Sequence, residues 1–204
     1  MGNKPWLRWC RLVLMTLAVN CVLSCGDDTG SGSVFGSLYV PDCIDGEPRD
    51  YSCPTSVSVE NCQEFDLGVT FFAVQVYPDE SAKLRLQNGG SDFALTDGLV
   101  FHLRDARELR GRLGERLPVG DTENIRAALG LFERCQGSTQ NFEITGSIMF
   151  EAFGVAKGDR IKGRVTGLEI RDGRGDTAGT VLGFLQGKFD FNVRLGPPYQ
   201  RFQE

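Results

Sequence analysis

Seven cysteines are the side chains best suited to covalent chemistry in this 204-residue sequence, and their spacing sorts them. Cys10 and Cys21 fall in a basic, then apolar, N-terminal stretch; Cys25 follows it directly; Cys43, Cys53, Cys62 and Cys135 are spread through the body. The last four include no C-x-x-C pair. With gaps of 9, 8 and 72 residues between them and one histidine in the chain, they depart from the paired-ligand spacing of a zinc site. An even count in an exported protein reads as two disulfides. Three connectivities are open, and Cys53 with Cys62 plus Cys43 with Cys135 is preferred. The first closes a short loop worth about 2 to 3 kcal/mol, and the second ties an N-terminal strand to the middle of the chain.

The other chemical candidates are weaker. His102 lies in Leu99-Val100-Phe101-His102-Leu103, on the face opposite Leu99, Phe101 and Leu103, and no serine stands in a G-x-S-x-G elbow. Gly173 to Ala178 matches G-x-G-x-x-A, but the residues after it alternate as a strand where a dinucleotide fingerprint needs a helix. The same segment contains Arg174-Gly175-Asp176 and the carboxylates Asp172 and Asp176. Arg174 occupies a place where a calcium loop would want oxygen, so the segment reads as a hairpin turn. Arg104, Arg107, Arg110, Arg112 and Arg116, set against Asp105, Glu108 and Glu115, give a local charge of +2. They are a candidate contact for an acidic polymer or lipopolysaccharide phosphates, with an ion-paired helix face as the plainer account. Glu143 and Glu151 share one strand face and meet the two-carboxylate requirement of glycosidases in name only. No cofactor or metal is expected.

Positioning these residues falls to strands. Val181 to Leu195 alternates between an apolar and glycine face and a polar one, and Phe142 to Ala152 does the same. Ala82, Leu84 and Leu86 alternate with Lys83, Arg85 and Gln87 before the turn sequence Asn88-Gly89-Gly90. Further runs at Val34 to Val40, Val69 to Tyr77, Leu99 to Leu103 and Arg160 to Arg171 predict an all-β fold. The expected architecture is an antiparallel β-sandwich or closed barrel of about seven to nine strands with at most one short helix. That helix is Asp105 to Arg116, where Asp105 and Glu108 have capping-box spacing and Gly111 and Gly114 weaken the pattern. Ile125 to Cys135 fits either period and is assigned to a strand.

Lys4, Arg8 and Arg11 precede the apolar stretch Leu12 to Leu23, which is too short to cross about 30 Å of hydrocarbon as a helix. It reads as a secretory signal. Val22-Leu23-Ser24-Cys25 resembles the lipobox of bacterial lipoproteins, with Leu23 larger than usual at its position. The resemblance implies removal of residues 1–24, acylation of Cys25 and attachment to a membrane by two or three chains, which makes detachment negligible. Gly26 stands where enteric lipoproteins carry the aspartate that retains them in the inner membrane, so the outer membrane is expected. Residues 25–33 read as the lipidated cysteine and a Gly/Ser tether, and 34–204 as one domain. The body also resembles lipoproteins of social, gliding bacteria at Asp97 to Leu99, Gly146 to Phe150 and Gly187 to Pro197. That resemblance implies no particular chemistry.

Charge narrows the partners. Three of the 22 Lys and Arg and none of the 27 Asp and Glu precede Cys25, so the remaining chain carries −8, a balance that argues against nucleic acid. The expectation is a lipid-anchored protein of the bacterial envelope that binds an envelope protein or polysaccharide, or builds structure, without catalysis. The alternatives are an envelope hydrolase acting on glycan or peptide, and a transmembrane β-barrel. Trp6 and Trp9 lie in the leader, which leaves Tyr39, Tyr51, Tyr77 and Tyr199 as the amphipathic rings that stack on sugars.

Overall fold

A computed structural model describes residues 30–40, 63–89, 96–135 and 141–194. Cys25, Cys43, Cys53 and Cys62 lie outside them, as does the pairing expected among the cysteines. The described chain forms β1 (Gly30–Leu38), β2 (Gln63–Asp66), β3 (Phe71–Val76), β4 (Ala82–Gln87), β5 (Asp97–Leu103), α1 (Ala106–Arg110), β6 (Leu117–Val119), β7 (Ile125–Leu131), β8 (Phe142–Phe153), β9 (Arg160–Asp172) and β10 (Val181–Asn192). Six strands make one sheet in the order β2-β1-β10-β9-β8-β6, and four make a second, β3-β4-β5-β7. Every pairing is antiparallel, and the larger sheet ends in β2 and β6 without closing on itself. The architecture is a sandwich, not a barrel.

Alternation builds the long strands and bulges correct them. On β9, Ile161 and Val165 point inward, then Leu168 and Ile170, so the inward parity changes between them. The pairing with β8 slips at the same place: Thr145 faces Glu169, but Ser147 faces Thr166, which leaves one extra residue on β9. Gly167 accommodates it, at a φ of +57 that would strain most residues with a Cβ. Opposite stands Gly146, where a Cβ would sit 2.6 Å from the Gly167 carbonyl oxygen. The two glycines together let the bulge close.

The smaller sheet lies across the larger one. Phe72 at the start of β3 stacks on Phe191 of β10 with ring centroids 5.5 Å apart. Beyond β7, Arg134 donates to the Asp66 carbonyl of β2 at 2.6 Å and covers the Phe65 ring at 5.0 Å. Between the sheets Leu84, Leu86, Leu99 and Phe101 meet Phe150, Ile161, Leu168 and Phe189, all at most 1% exposed.

Three expectations change. Gly30 to Ser33, assigned to the tether, belong to β1 and pair with Phe191 to Lys188. Their small side chains serve close packing: a Cβ on Gly32 would sit 2.7 Å from the Phe72 ring. The strand count rises to ten among the described residues because β2 and β6, four and three residues long, are edge strands too short to show alternation. Pro118 in β6 is tolerated on an edge. The helix shrinks to five residues: Asp105 accepts from the backbone of Arg107 and Glu108 at 2.8 and 2.9 Å, and Gly111 ends it. Ile125 to Leu131 is a strand, as assigned.

Candidate functional site

Three of the five arginines of the cluster are engaged with neighbouring groups. Arg107 pairs with Glu80 from the β3–β4 turn, and Arg112 pairs with Glu108 and Glu115 at 3.0 and 2.9 Å. Arg104 donates to the Asp121 carbonyl at 3.2 Å, and Arg110 is exposed. Glu80 comes from outside the sequence cluster and offsets part of its local positive charge.

The carboxylate candidates are separated or occupied. Glu143 and Glu151 stand eight positions apart on β8, roughly 26 Å at strand rise, beyond the separation of a glycosidase pair. Glu151 contacts Lys162 and Arg164 at 2.6 and 2.9 Å, and their hydrogen bonds hold its carboxyl below the ordinary range. A general acid needs the opposite shift.

The Gly173 to Ala178 segment is a short 3₁₀ turn leading into β10. Arg174 folds back on Asp172, donating from Nε and Nη2 at 2.9 Å each, and Thr177 Oγ1 donates at 2.8 Å. The Arg174 hydrogen bond is the main cause that lowers the Asp172 carboxyl to about 2, opposed by burial. Because the folded value lies below the unfolded one, this stabilisation is present above about pH 4 and is lost as pH falls through about 2. Acid unfolding followed by circular dichroism is expected to show a smaller loss over that window in Asp172→Asn, which is less stable at neutral pH.

Strand register assembles a different group of polar and basic side chains. On the outer face of the smaller sheet, Gln75, Lys83, His102 and Arg126 stand opposite one another on β3, β4, β5 and β7. Adjacent members are roughly 5 Å apart at the backbone. His102 is half-buried, and desolvation first, then Lys83 and Arg126, push its imidazole below its ordinary value. Lys83 lies 5.6 Å over the Tyr77 ring. Arg126 and Arg104 both donate to the Asp121 carbonyl, at 2.6 and 3.2 Å. Among the described residues, Arg107, Arg112, Arg134, Arg160, Lys162, Arg164, Arg171 and Arg174 have carboxylate partners, whereas Lys83, Arg104 and Arg126, like Arg110, Arg116, Lys157 and Lys188, have none within ion-pair distance. This row escaped sequence reasoning because its members sit on four separate strands. No family model, curated protein or solved structure matches the chain.

Proposed function

We propose that the chain is a lipid-anchored envelope protein whose sandwich body binds a partner without catalysis. The observation that carries this reading is Val22-Leu23-Ser24-Cys25, set after a basic and apolar leader and five residues before Gly30, where β1 begins. Five peptide units span at most about 18 Å, so acylation at Cys25 would keep the body beside the lipid. The outer membrane is the proposed location, with an envelope protein or polysaccharide as partner. Cys135 is 2% exposed, a burial that suits the proposed pairing among the four body cysteines.

Metabolic labelling with a palmitate analogue tests the anchor. The unaltered chain is expected to take the label and sediment with membranes, and Cys25→Ser to lose the label and enter the soluble fraction. Unchanged membrane retention of Cys25→Ser overturns the proposal.

A further inference from the structure

We propose that the outer face of the smaller sheet, along Lys83, His102 and Arg126 with Tyr77 beside them, binds an acidic polysaccharide. The inference rests on the binding role above and names its ligand class. Among the described residues, Lys83 and Arg126 have no carboxylate within ion-pair distance, in a chain of net charge −5. The backbone pairing of β4, β5 and β7 holds the row in place, so little order must be created on binding. Its extent across three strands, roughly 10 Å, exceeds one small anion and suits successive charges on a polymer. Tyr77 adds an amphipathic ring of the kind that packs on sugars. Among the described residues, the exposed large apolar side chains Phe35, Leu113 and Phe132 lie off this row.

The test titrates the full chain with oligogalacturonate, read by calorimetry and by the ring resonances of its one histidine. Binding is expected to weaken with salt, to shift the His102 signals, and to fall about tenfold in Lys83→Gln/Arg126→Gln. Lys157→Gln/Lys188→Gln, which removes the same charge from exposed positions elsewhere, is expected to bind normally. Tyr77→Ala is expected to weaken oligogalacturonate and leave polyglutamate unchanged. The proposal is overturned by absence of binding at low salt, by equal loss in the control variant, by polyglutamate binding as well with no effect of Tyr77→Ala, or by preference for phosphatidylglycerol vesicles. None of these outcomes alters the labelling result at Cys25, so the two readings fail separately.

Discussion

Phe189→Ala is expected to destabilise the fold by about 3 to 5 kcal/mol, the range for removing a large aromatic from a packed core. Phe189 is 1% exposed on β10. Its ring meets Phe150 edge-on at 5.9 Å and Phe191 at 6.5 Å, and Phe191 stacks on Phe72 of the smaller sheet. The rings therefore run continuously from one sheet to the other. Gly163 opposite leaves the space: a Cβ there would lie 2.7 Å from Phe189 Cζ. Removing the ring opens a cavity that β9 and β10, paired along their length, cannot collapse without losing register. Thermal or urea unfolding measures the loss. A cost below about 1 kcal/mol would show that these rings do not carry the inter-sheet contact.

Alternation made β8 and β10 legible because each buries one face over most of its length, Ile144 to Phe150 and Gly183 to Phe191. It could not show β2 and β6, which hold an edge through a few backbone pairs, or the bulge at Gly167, which reverses the inward parity of β9. Glycine and serine at Gly30 to Ser33 carry the composition of a linker, yet here small size admits the Phe72 ring. The proposed acylation at Cys25 rests on local sequence alone, since such a signal is a linear segment. The cationic row has no linear signature. Lys83, His102 and Arg126 become neighbours only through strand register, whereas two of the arginines clustered in sequence, Arg107 and Arg112, are drawn into pairs with Glu80, Glu108 and Glu115.

Asp97→Ala is expected to cost about 3 kcal/mol, because a buried carboxylate that organises a turn is removed together with its charge-assisted hydrogen bonds. Asp97 is fully buried at the start of β5. Its Oδ1 accepts from the backbone of Glu133 and Arg134 at 3.0 and 3.2 Å, and its Oδ2 lies 2.8 Å from Arg134 Nε. Arg134 in turn reaches the Asp66 carbonyl, so one carboxylate links the smaller sheet to the edge of the larger. Alanine leaves two backbone donors without this acceptor, while the Arg134 side chain, 38% exposed, can still reach water. Asparagine keeps the Oδ1 acceptor and is expected to cost about half as much. Amide hydrogen exchange at Glu133 and Arg134 separates the contributions: it accelerates strongly in Asp97→Ala and weakly in Asp97→Asn. Equal destabilisation by both substitutions would place the stabilising effect in the charge pair with Arg134 instead of the turn.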